Sequence, residues 1–233
     1  MIALFGIPIH EPDVVFTDLG LAMLATYLGW RLWTSSGQRE LPRAGAVLMG
    51  ALASAALWGA IFHAFFPDET ATPSGFLAWL PVALSILIAA ATMLELGLRI
   101  LVPRLRPRVR RSIVAMYAIV FAAVLLLVDE SFTGMVRFYL PALLLLLIAA
   151  GQQAMRSRSV GWTLIASGLV MSAGAALLQQ VGVSIHPVYF DHNAVYHVLQ
   201  GIALVFLYLG FGRAHEASAG AYATGTNPAP GAG

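Results

Sequence analysis

Seven runs of about 20 predominantly apolar residues, separated by short polar loops, fill residues 14–212 and leave few folds open to this chain. A helical run of that length matches the roughly 30 Å hydrocarbon core of a bilayer, and a spanning helix satisfies all of its backbone polar groups internally. The predicted runs are 14–33, 44–66, 76–102, 112–128, 135–155, 160–181 and 193–212. The expected fold class is all-α: an integral membrane protein of seven transmembrane helices in one domain, residues 1–213. An Ala/Gly/Ser/Thr/Pro tail, residues 214–233, is expected to be disordered. Only 10% of the residues are charged, against roughly 25% in a soluble domain, so no soluble domain is expected beside the helices. Residues 1–9 are apolar but too short to span, lack the basic start and cleavage site of a signal peptide, and are expected to lie at the interface or fold back over the bundle.

The charges orient the helices. All 13 basic residues are arginine, and 12 of them lie at or beyond the ends of runs one, three, five and seven, Arg137 being the exception. By the positive-inside rule those ends are cytoplasmic, which puts the N-terminus outside and the C-terminus in the cytoplasm. The pI near 9.2 therefore reports topology, and the expected partners are membrane lipids, with no nucleic acid. Without lysine there is no retinal Schiff base, and without cysteine there is no disulfide, thiolate metal site or cysteine nucleophile. Eight of the 11 acids and five of the six histidines fall on the outer side. The loop acids need no explanation beyond arginine being held inside, but histidines within the spans do.

Ionisable groups inside a membrane are costly and point to function. His63 near the end of run two and His197 inside run seven could meet on one ion through neutral imidazole nitrogens. His192 could be a third ligand if the helix starts around it, since positions 192 and 197 stand about 140° apart on an ideal helix. The competing reading makes His63 and His197 polar groups hydrogen-bonded between helices. Asp68 and Asp18 are candidates for a general base or for orienting a ligand imidazole, and Tyr196 is a further candidate catalytic group. Against this, Asp68 could be a solvated loop acid, Asp18 a helix-start charge and Tyr196 an interfacial aromatic. Asn193 is expected to cap a helix, Glu95 and Arg99 to pair along one helix, and Glu11 with Asp13 offers a thin basis for calcium.

The stretches Trp58-Gly59-Ala60-Ile61-Phe62-His63 and 192–204 (HNAVYHVLQGIAL), with the acidic start of run one, resemble the alkaline ceramidase superfamily, which includes the progestin and adipoQ receptors. The resemblance implies seven spans, a zinc ion held by one span-two and two span-seven histidines, and hydrolysis of lipid amides. On this chain it makes His63, His197 and His192 the expected zinc ligands. The chain departs from the family pattern at three places. Gly59 stands where the family has serine, the span-seven spacing of four falls on Asn193, and span three has no aspartate. It looks like a bacterial-type relative, expected in the inner membrane. The expected function is zinc-dependent cleavage of a lipid amide or ester on the extracytoplasmic side. The alternative is a seven-helix lipid or ion sensor using the same pocket.

Overall fold

A computed structural model describes residues 2–4, 7–66, 72–186 and 189–223. A short antiparallel hairpin, β1 (Ile2–Leu4) and β2 (Ile7–Ile9), pairs Ile2 with Ile9 and Leu4 with Ile7. Seven helices follow: α1 (Pro12–Ser36), α2 (Glu40–Phe65), α3 (Pro73–Leu101), α4 (Pro107–Leu127), α5 (Phe132–Ser157), α6 (Val160–Gln180) and α7 (His192–Ala223). Six of them, α2 to α7, are long and apolar enough to cross a membrane, α7 over His192–Ala214. Their outer faces expose Met116, Ile119, Ile148, Val170 and Leu177, an apolar surface that lipid covers without cost and water does not. This is a multi-pass membrane protein. The remaining helix, α1, has 25 residues and carries Asp13, Asp18 and Arg31 within an otherwise apolar sequence.

The helix starts follow local chemistry. Proline stands in the first turn of α1, α3 and α4, where its missing N–H costs nothing. Thr72 and Ser131 accept the backbone N–H of Gly75 and Gly134 at the starts of α3 and α5, each at 3.1 Å. Arg137, the one arginine away from the ends of runs one, three, five and seven, donates to Asp129 at 3.1 Å. Hydrogen bonds from the Ser131 hydroxyl and N–H hold the Asp129 carboxyl below its ordinary range, with Arg137 adding to the effect. The expected pairing of Glu95 with Arg99 along α3 does not form. Glu95 instead meets Arg110 of α4 at 2.6 Å, and Arg99 meets Glu40 of α2. Arginine reaches a neighbouring helix as easily as its own, and these pairs tie α3 to both partners.

The packing is a ring. α1 packs on α2, α2 on α3, α3 on α5, α5 on α6, α6 on α7, and α7 closes against α1. α4 stands outside it against α3 and α5, held by Phe121 stacked on Phe138 at 4.7 Å and by the Tyr117 hydroxyl donating to the Phe138 carbonyl at 2.5 Å. Small residues set the tightest seam, as is usual where helices associate without a hydrophobic driving force. A Cβ on Gly161 of α6 would lie 2.1 Å from the Ala214 nitrogen of α7, and one on Gly210 would lie 2.8 Å from the Ile165 nitrogen. Since backbone cannot yield as a side chain can, Gly161→Leu should cost about 1–3 kcal/mol or more and lower the melting temperature in detergent. Gly212→Ala, whose Cβ meets nothing within 4 Å, should leave it unchanged. Equal melting temperatures for both variants would mean that α6 and α7 do not meet this closely.

Candidate functional site

Inside the ring, a cavity of about 490 Å³ is lined by Asp18 of α1, Gly59 and His63 of α2, and His192, Asn193, Tyr196 and His197 of α7, among others. The histidines and Asp18, scattered over the sequence, thus share one cavity. Asp18 gets there because it falls within the buried stripe of α1: Val14, Asp18, Leu21, Ala25, Leu28 and Leu32 recur at intervals of three and four. His197 and Gln200 are likewise on the buried face of α7.

The residues just before α1 pack against the end of α2. The N–H of His10 donates to the Ala64 carbonyl at 3.1 Å, and Ile9 packs on the small cluster of Val15, Ala60 and Ala64. Glu11 then turns through a left-handed conformation, φ 31°, and sets its carboxylate 2.5 Å from Nδ1 of His63. A left-handed backbone is unusual for a non-glycine residue and persists only where its surroundings over-determine it; here the contact with His63 is the restraint.

His197 is held from α1 on both of its nitrogens. The Thr17 hydroxyl spends its proton on the carbonyl of Asp13 or Val14, at 2.9 and 3.0 Å. Toward His197 it therefore offers a lone pair, and Nδ1–H donates to it at 3.1 Å. The tautomer is assigned from this network; the other would turn Nε2–H toward Asp18 and let Nδ1 accept from Thr17. Nε2 then points at Oδ1 of Asp18, 3.2 Å away. Both side chains are buried, Asp18 at 3% exposure and His197 at 8%. The other Asp18 oxygen, Oδ2, has no hydrogen-bond partner among the described residues. A Cβ added to Gly59 would stand 2.9 Å from Oδ2, so the glycine leaves the room that the Asp18 carboxylate fills.

The other expected site residues divide. His192 is the first residue of α7 and lines the cavity. Tyr196 lines it too, with its ring edge-on to His197 at 5.3 Å. Asp68 lies outside the described residues. The expected cap, Asn193, does not cap α7: Asp191 accepts the Ala194 N–H at 2.9 Å, while the Asn193 carbonyl accepts from Gln179 of α6 at 2.8 Å. The N–H of Asp191 donates to Asp13 at 3.1 Å. The acids considered for calcium thus have different partners, Glu11 on His63 and Asp13 on Asp191. Among the described residues, no three histidine, aspartate or glutamate side chains stand together as a ready-made metal site. Thr17, the Glu11 contact with His63 and the role of Gly59 were not anticipated. The helical spacing of Asp13 and Thr17, four apart, was the available signal for the first.

The family model of DUF6962, described as a family of unknown function, matches residues 14–216. The chain belongs to the DUF6962 family. The matched stretch contains Thr17, Asp18, Gly59, His63, His192 and His197, so the cavity is built from the DUF6962 region itself, with Glu11 arriving from just before it. No curated protein matches the chain, and no solved structure matches it.

If Gly59 exists to seat Asp18, the two positions must be coupled. Gly59→Ala should destabilise the protein by roughly 1–3 kcal/mol and cost clearly less in an Asp18→Ala background, a double-mutant coupling of at least about 0.5 kcal/mol. Equal costs in both backgrounds would separate the two residues.

Proposed function

We propose that this protein is a zinc-dependent membrane hydrolase, cleaving an amide or ester bond of a lipid, in which His63, His197 and Asp18 hold the ion. The observation that supports the reading best is the contact between His197 and Asp18. With the Nδ1 proton given to Thr17, Nε2 and Oδ1 are two acceptors 3.2 Å apart in a buried setting. Such a pair needs a proton or a cation between them, and Asp18 keeps a second oxygen free. Imidazole and carboxylate are donors that suit zinc. A histidine that binds metal commonly gives its other ring nitrogen to a carboxylate or another acceptor; Glu11 at His63 and Thr17 at His197 stand in those positions.

Zinc bound here would acidify a coordinated water to a pKa near 7 and polarise a carbonyl. The chain's own residues supply the rest. Glu11 and Thr17 fix the two imidazole rings, Tyr196 and Gln200 offer polar groups for a head group, and Leu52, Val82 and Ile86 give an apolar wall for acyl chains. His192, in the same cavity, is a further ligand, and Asp68 is the candidate to accept a proton. The reading takes α1 as a seventh span, with the N-terminus outside and the C-terminus cytoplasmic, as the arginines require.

Three experiments test this. Elemental analysis should find near-stoichiometric zinc in the wild type and a sharp drop in His63→Ala, His197→Ala and Asp18→Ala. Glu11→Gln should weaken zinc affinity by about 10–100-fold. Release of fatty acid from N-acylated lipids should be chelator-sensitive, lost in His197→Ala and reduced in Asp68→Asn. Folded protein without zinc contradicts the metal site, whereas zinc-loaded protein without turnover on ceramides, N-acyl amines and lysophospholipids makes the pocket a sensor's. In the third experiment, reporter fusions at Arg39 and Arg106 should read cytoplasmic, and those at Asp129 and His186 should read external. A cytoplasmic signal at His186 would invert the topology.

A further inference from the structure

A second concavity, of about 890 Å³, lies on the outside of the bundle between α1 and α2, away from the metal-site cavity. Its walls include Met23, Tyr27, Trp30 and Trp33 of α1 and Val47 and Gly50 of α2, with no charged residue among the lining side chains. From Leu19 to Trp33 it follows α1 for about 21 Å at 1.5 Å per residue, the scale of an extended acyl chain. Trp30 and Trp33 are 59% and 56% exposed, and tryptophan favours the head-group level of a membrane.

Two arginines stand against these walls. Arg31 is exposed and stands near the end of α1. It turns back one helical turn, donates to the Tyr27 hydroxyl at 2.8 Å and lies 5.8 Å from that ring's centre. Arg43 of α2 lies 5.6 Å over the ring of Trp33 and gives one terminal N–H to Gln38 at 3.1 Å. Its Nε is buried with no acceptor among the described residues, and neither arginine pairs there with a carboxylate. The buried Arg43 Nε calls for an acceptor, which a counter-ion or water supplies.

We propose that this groove binds one anionic glycerophospholipid, an acyl chain lying along Met23, Trp30 and Gly50 and the head-group phosphate meeting Arg31 and Arg43. An apolar slot ending at two uncompensated guanidinium groups fits an amphiphile with a negative head, and basic residues beside a membrane select such lipids. A second copy of this chain would bring its own arginines to the same place. The inference stands on the membrane setting alone and is independent of the metal site.

The test uses detergent-purified full-length protein titrated with phosphatidylglycerol, phosphatidylcholine of the same chains, or inorganic phosphate, with bound lipid counted by native mass spectrometry. Phosphatidylglycerol should bind one per protein and outcompete phosphatidylcholine, and inorganic phosphate should not displace it. Arg31→Gln with Arg43→Gln should weaken phosphatidylglycerol by roughly tenfold or more and bring it level with phosphatidylcholine. Gly50→Leu, placed where an added Cβ meets nothing within 4 Å, should fill the slot and remove both lipids at unchanged helical content. Equal binding of the two lipids by the wild type, retention of the preference in the double variant, displacement by phosphate, or a dimer that loses its partner on Gly50→Leu would each overturn the proposal.

Discussion

A carboxylate and an imidazole nitrogen facing each other across 3.2 Å, both buried, are the constraint on which the rest of this bundle depends. Burying either group unpaired would cost several kcal/mol. The structure therefore spends three separate devices on the pair. Thr17 fixes one side of the imidazole, Gly59 clears the volume for the carboxylate, and the α1 stripe that carries Asp18 packs tightly on α2 and α7. Together they hold the imidazole and the carboxylate face to face at the wall of one cavity.

The ring of helices explains why the site sits where it does. Contact of α1 with α7 closes the ring and carries Asp18 to His197, while contact of α1 with α2 carries it over Gly59. The seam between α6 and α7, tight enough to exclude a Cβ at Gly161 and Gly210, fixes the position of α7 from its other side. Glu11 adds a restraint from outside the helices by reaching back to His63. Helices that approach this closely leave little slack, and the histidines inherit that precision.

Much of this was legible beforehand. The apolar runs placed all seven helices, with limits within about five residues of those observed, except that α7 runs on to Ala223 where its apolar run ends at 212. His63, His192, His197 and Asp18 were singled out because ionisable groups amid apolar sequence are rare, and they line one cavity. What could not be read was pairing. Hydrogen bonds such as Thr17 with His197, across 180 positions of sequence, depend on which helices become neighbours, and periodicity on single helices is silent about that. The same reason defeated the Glu95–Arg99 expectation, since Arg110 arrives from another helix. Asn193 and Asp191 are both good caps, and only the observed start of α7 separates them. Gly59 was not expected to pair with any residue; in space the Asp18 carboxylate lies against it.

Zinc-edge X-ray absorption on the purified wild-type protein tests the metal assignment most directly, because it reads the ligands and not the activity. The spectrum should show imidazole scattering from at least two histidines, with nitrogen and oxygen ligands at about 2.0–2.2 Å, and Asp18→Ala should remove an oxygen ligand while the imidazole signal persists. Zinc without imidazole scattering, or a spectrum unchanged by Asp18→Ala, would contradict an ion held between Asp18 and His197.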